Sequence, residues 1–255
     1  MRKIVLAAAA ALAFQTAAYS AFAAEEVKPM EHHWTFDGVL GKFDKQQLQR
    51  GFQVYKEVCA SCHSLNYISF RNLADIGYSE DQVKVIAAEY QVTDGPDENG
   101  DMFQRPARGS DHFPRPFANE QLARMSNGGA LPPDLSLMTK ARPDGPNYVY
   151  SLMMGYKDAP PKGFELAPGM SYNEYFPGHQ IAMPQQLMDD RISYADGTKP
   201  TAAQLSEDVV AFLHWAAEPK LEVRHATGIR VLLFAFLFTV LAYLYKRRLW
   251  SRIEH

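Results

Sequence analysis

"EVCASCHSL", residues 57–65, holds the only two cysteines of the chain, with His63 directly after the second. Zinc, a redox disulfide and haem all use a C-x-x-C pair. A structural zinc site needs four ligands, commonly as two separated pairs, and no second C-x-x-C or H-x-x-x-H pair lies downstream. A thioredoxin-like pair belongs at the end of a strand in a βαβ unit, whereas the residues before Cys59 read as a helix. In "DKQQLQRGFQVYKEV" (44–58), Leu48, Gly51, Phe52, Tyr55 and Val58 recur at spacings of three and four. Asp44 is its N-cap, with Gln47 three residues on. C-x-x-C-H is the attachment signature of c-type haem. Two thiols at this spacing reach the two vinyl groups on one porphyrin edge, and the adjacent histidine then lies under the iron. The stretch predicts one covalently attached c-type haem on Cys59 and Cys62, with His63 as an iron ligand.

C-type haem is attached outside the cytoplasm, so an export signal is expected. "MRK" supplies a basic start, "IVLAAAAALAF" an apolar run, and Ala21-Phe22-Ala23 a small-x-small cleavage site. Residues 1–23 are read as a cleaved signal peptide. At the other end "IRVLLFAFLFTVLAYLY", 229–245, is followed by Lys246, Arg247, Arg248 and Arg252. Seventeen residues span roughly 25 Å as a helix, close to the ~30 Å hydrocarbon core. Snorkelling of Arg230 and Lys246 covers the difference, and Tyr243, Tyr245 and Trp250 suit the interfacial belt. The reading is an anchor over 229–248 and a short cytoplasmic tail over 249–255, with the bulk of the chain on the export side of the membrane.

Between these segments, residues 24–228 form one haem domain. The whole chain carries 26 Lys+Arg and 29 Asp+Glu; seven of those cations and one acid lie in 1–23 and 229–255. The domain keeps 19 against 28, a net charge of −9. "TDGPDENGD" (93–101) and Asp189-Asp190 concentrate the acids, which would steer a basic soluble partner. Helices are expected over 79–90 capped by Ser79, 117–129, 145–156 with Pro146 at its start, and 201–219. In the last, Thr201 and Gln204 form a capping box and Leu205, Val209, Phe212 and Ala216 one stripe. No alternating run is long enough to suggest a sheet, and Gly51 lets the first helix cross the 201–219 helix closely. The expected fold is mainly α: a small c-type cytochrome haem domain with long loops, plus one C-terminal transmembrane helix.

A second axial ligand must come from the remaining Met and His residues. Met153, Met154, Met125 and Met138 sit at or near helical positions that favour packing. Met183 stands in a Pro/Gly-bounded loop, "NEYFPGHQIAMPQQLMDD", directly before Pro184. Met188, His179 and His112 remain alternatives, as does a vacant site. An open iron site would suit a haem peroxidase or a gas sensor.

From "HWTFDGVLGKFD" (33–44) to the anchor, the chain resembles the cytochrome c1 family, the haem subunit of the cytochrome bc1 complex, in a bacterial form. The resemblance is carried by "CASCHSL", "DGPDENGDMFQRP", "NGGALPPDLSL", "ARPDGPNYVYSLM", "YFPGHQIAMP" and "FLHWAAEP", in that order. It implies thioether attachment at Cys59 and Cys62, His63 and Met183 as axial ligands, Arg142 beside a haem propionate, and Asn127, Pro133 and Tyr148 lining the haem. It further implies an electron-transfer subunit of a quinol–cytochrome c oxidoreductase, with no substrate chemistry at the haem. Its partners would be cytochrome b, a Rieske iron–sulfur protein as donor and a soluble cytochrome c as acceptor, in a dimeric multisubunit complex. Quinol oxidation, respiratory or photosynthetic, would there be coupled to proton translocation. A membrane-anchored cytochrome of another oxidase or dehydrogenase is the competing assignment. "PQQL" after Met183 differs from the "APP" of mitochondrial relatives, and with no further cysteines the loop-bridging disulfide of some bacterial relatives is absent.

Overall fold

The computed structural model describes residues 27–252. The expected signal segment 1–23 lies outside them, as do the last three residues of the expected tail. Helix α1, Lys45–Val54, runs on through a wider π-turn, Tyr55–Cys59, into the C-x-x-C-H stretch. A 3-10 turn (Phe70–Ile76) and α2 (Glu80–Ala88) follow, then a hairpin of β1 (Gln91–Asp94) and β2 (Phe103–Pro106). Next come α3 (Glu120–Ser126), α4 (Gly145–Met154) and a second short hairpin, β3 (Ser171–Tyr172) with β4 (Gln180–Ile181). Helix α5, Ala202–Ala217, and the 30-residue α6, Leu221–Trp250, complete the chain.

The mainly α expectation holds, and the two hairpins are additions that alternation could not reveal, being four and two residues per strand. Ser79 forms a full capping box with Gln82. The other two caps are half formed, which corrects the expectation for Thr201–Gln204. Thr201 accepts from the Gln204 amide at 3.2 Å, but the Gln204 side chain bonds Asp208 at 3.0 Å. Asp44 caps through the Gln46 amide at 2.9 Å, while Gln47 turns to Glu207. In both cases an acid of α5 takes the amide that would have closed the box.

The core is the crossing of α1 with α5. A Cβ on Gly51 would lie 2.0 Å from the Asp208 carbonyl oxygen and 2.7 Å from Phe212 Cβ, so only glycine permits this approach. Beside it Arg50 forks onto Asp208, Nε to Oδ2 at 2.9 Å and Nη2 to Oδ1 at 3.0 Å. Asp208 is fully buried, so the pair is held in a medium where losing one partner costs about 3–5 kcal/mol. Phe52, Phe113, Phe212 and Trp215 pack ring to ring around it.

Helix α6 is about 45 Å long at 1.5 Å per residue. Its most apolar 18-residue window has a mean hydropathy of 2.0, and none of that window is buried. The helix starts at Leu221, eight residues before the apolar run, so the expected boundary at 228/229 falls inside a continuous helix. Gly51→Ala should separate α1 from α5 and destabilise the domain by about 3 kcal/mol, since overpacked contacts against backbone cannot relax. A fall in the thermal unfolding midpoint measures it.

Candidate haem site

The π-turn sets the site up. Ala60 N donates to Tyr55 O at 2.8 Å, one residue wider than an α-turn. Cys59 O then accepts from both Cys62 N (3.1 Å) and His63 N (2.9 Å), folding the three site residues into one tight turn. Both cysteines are half-buried free thiols. Burial, aided by the neighbouring Cys62, pushes the Cys59 thiol up to about 12. Among the described residues no group of three or more His, Cys, Asp or Glu could hold a metal ion, so the pair lacks the partners of a structural zinc site.

His63 Nδ1 lies 2.7 Å from the carbonyl oxygen of Pro133. A carbonyl only accepts, so Nδ1 carries the proton and Nε2 keeps its lone pair for a metal. Burial lowers the His63 pKa against the opposing pull of Pro133 and Asp134, favouring the neutral ring that iron binds.

Pro133 is held by the residue after it. Asp134 Oδ2 accepts from Ser64 Oγ (2.8 Å) and the Asn66 amide (2.9 Å), and Oδ1 from the Ser136 amide (2.9 Å). Leu135 N donates to Ser64 O at 2.9 Å. Burial works against the carboxylate, but these donors outweigh it and hold its pKa below the usual range. Sequence reading missed Asp134; its signal was its place inside the "LPPDLS" block.

Asn127 ends α3, its Nδ2 donating to Ala123 O at 2.7 Å, and Gly128 and Gly129 at φ 59° and 92° turn the chain back toward Pro133. Only Pro133 of this pair is bonded to His63. Arg142 is exposed and donates to Ala141 O at 3.1 Å. Tyr148 on α4 is half-buried; burial raises its phenol pKa and the nearby Arg142 guanidinium opposes the rise, which makes these two neighbours. Met183 is half-buried just past β4, with its carbonyl accepting from Tyr156 Oη at 2.9 Å.

The competing ligands separate. Met154 Sδ faces Ser206 Oγ at 3.6 Å, and Met138 and Met153 pack on the core. Met125 and Met188 are 75% and 50% exposed. His112 is exposed at an isolated bridge with Ser69, and the His179 ring stacks on Tyr172. The donor set fits a haem: two neighbouring thiols, a neutral imidazole with a fixed tautomer, and a half-buried thioether on a tethered loop.

A helical domain with this turn, followed by one long apolar helix, fits the class of membrane-anchored c-type cytochromes. The model of the Cytochrome C1 family matches residues 34–253, and the chain belongs to that family, which supplies a haem subunit of the bc1 complex in electron transport. It is 48% identical over 237 residues to "Cytochrome c1" of Rhodospirillum rubrum, covering 87% of each chain. Identity is also 48% to "Cytochrome c1 1, heme protein, mitochondrial" of Arabidopsis thaliana, over 95% of this chain and 79% of that one. A third relative, "Cytochrome b/c1" of Bradyrhizobium diazoefficiens, is 48% identical over 88% of this chain, which spans 36% of its length.

Asp134→Ala should destabilise the domain by about 2 kcal/mol at neutral pH through lost bonds to a charged acceptor. The folded-state pKa is depressed, so this stability is present above the unfolded value near ~3.9 and fades as pH falls through the folded value. Denaturant unfolding of both proteins should therefore show a gap that closes in acid.

Proposed function

We propose that this chain relays single electrons from a Rieske iron–sulfur protein to a soluble cytochrome c, within a bc1 complex that also contains cytochrome b. The observation that carries the reading is the His63–Pro133 hydrogen bond on the C-x-x-C-H turn: it presents Nε2 as a fixed ligand for a haem attached at Cys59 and Cys62. The haem, when bound, supplies a one-electron couple. His63 and Met183 would hold the iron and leave it no open site for a substrate, and the thioether would favour the reduced iron and so a raised potential. Arg142 and Tyr148 would meet the propionate edge, and Asn127 and Pro133 would line the ring. Helix α6 would hold the domain on the periplasmic face of a bacterial inner membrane, after removal of residues 1–23.

Met183→Leu keeps the volume, so folding should largely survive. The potential of the assembled protein should drop and the reduced iron should begin to bind carbon monoxide, while Met188→Leu should do neither. The reverse result would reassign the ligand. The domain's charge of −9 predicts that cytochrome c reduction slows as salt rises, as the ~10 Å Debye length at 0.1 M shortens. Asp97 is committed to the Asn99 and Asp101 amides and Asp189 to the Ala202 amide. Glu98→Gln and Asp190→Asn are therefore the cleaner probes; a second-order rate indifferent to salt in the wild type would refute steering.

A further inference from the structure

We propose that Tyr156 is a positioning residue for the axial thioether, acting through the carbonyl of the Met183–Pro184 peptide; this rests on Met183 being the ligand. Met183 precedes a proline, which confines its backbone to extended conformations. Pro184 has no N–H, so the carbonyl is the natural handle on this peptide plane. Tyr156 Oη donates to it at 2.9 Å, and fixing the plane fixes the direction in which the Met183 side chain leaves the chain.

The tyrosine is itself well placed to be a fixed point. It follows α4 directly and pairs with Asn173 across an isolated antiparallel bridge. Asn173 is fully buried; its Nδ2 donates to Leu152 O at 2.8 Å, and its Oδ1 accepts from the Tyr175 and Phe176 amides at 3.0 and 3.2 Å. Its amide donates to His179 O at 3.0 Å. At Gly155 a Cβ would meet Tyr175 at 2.6 Å and Asn173 Oδ1 at 2.8 Å, so the loop lies against the end of α4 without a gap. Asn173 thus fastens the start of the loop to α4, and Tyr156 fastens its end at Met183. A thioether is a weak ligand, and such a loop needs both ends held if exogenous ligands are to be kept out.

The test uses the full-length haem-loaded protein in its complex and carbon monoxide as the probe. Tyr156→Phe keeps shape and burial but loses the donor. The expected result is about 2- to 10-fold faster carbon monoxide binding to the reduced iron, the factor one net hydrogen bond is worth, together with a lowered potential. Tyr90→Phe, which removes a hydroxyl from the core elsewhere, should leave both unchanged. The double variant Tyr156→Phe/Met183→Leu should bind no faster than Met183→Leu alone, because the tyrosine acts only through the methionine. If Tyr156→Phe fails to accumulate, Pro184→Ala relaxes the same peptide plane from its exposed side and should raise the rate in the same sense. Tyr156→Phe that lowers the unfolding midpoint but leaves rate and potential at wild-type values makes the residue structural and overturns the proposal. Met183→Leu that leaves the iron closed overturns the ligand assignment first, and the proposal with it.

Discussion

The hydrogen bond that aims the site is the one between His63 and Pro133. His63 comes from the turn after α1, and Pro133 from a loop seventy residues later; the 2.7 Å contact between them fixes the tautomer and the aim of the imidazole. Neither residue could hold that geometry alone. Tyr55 Oη donates to the His63 carbonyl at 3.2 Å from the α1 side, and Asp134 gathers three donors from 64–66 and 136 on the other. The α1–α5 crossing matters to the site because it holds the helix that delivers the turn. Gly51 and Arg50 lie little more than three helical turns upstream of His63, on the helix that delivers the turn, so a shift in the crossing would move the imidazole.

The motif at 59–63 was legible because haem attachment demands a fixed local spacing, and the helices were legible because each buries one face. Gly51 was legible too, as the small residue on the packing stripe. What could not be read were contacts made across long separations. Asp134 looks like any turn aspartate until its partners at 64 and 66 come beside it. Tyr156 looks like a helix-end aromatic, and only folding brings its hydroxyl to a carbonyl 27 residues away. The half-formed cap at Asp44 failed for the same reason. At Asp44 the tertiary acid Glu207 draws the Gln47 side chain away, whereas at Thr201 the competitor is local, Asp208 one turn further along the same helix.

The hairpins show where periodicity runs out. Strands of two residues, such as Ser171–Tyr172, cannot display alternation, yet they place Met183 just beyond a hydrogen-bonded pair. Glycine and proline in "YFPGHQIAMP" mark a turn but do not say what the turn packs on. That information resides in Asn173, whose buried side-chain amide makes three hydrogen bonds to backbone and whose own backbone N–H makes a fourth.

The junction of domain and anchor bears on how such a relay would work. Only Glu218-Pro219-Lys220 separates α5 from α6, and Leu221 is buried against the domain. Glu218 receives Lys140 from the 131–142 loop and Arg224 from α6, while Glu222 of α6 accepts from the Phe43 amide at 3.0 Å. Single exposed ion pairs contribute little. Here they are joined to a buried leucine and to backbone bonds from Leu221 N and Glu218 N, so the start of α6 is part of the domain's own packing. These contacts tie the start of α6 to the domain. In the relay proposed above, a domain tied to its anchor in this way would leave the travel between donor and acceptor to the partners.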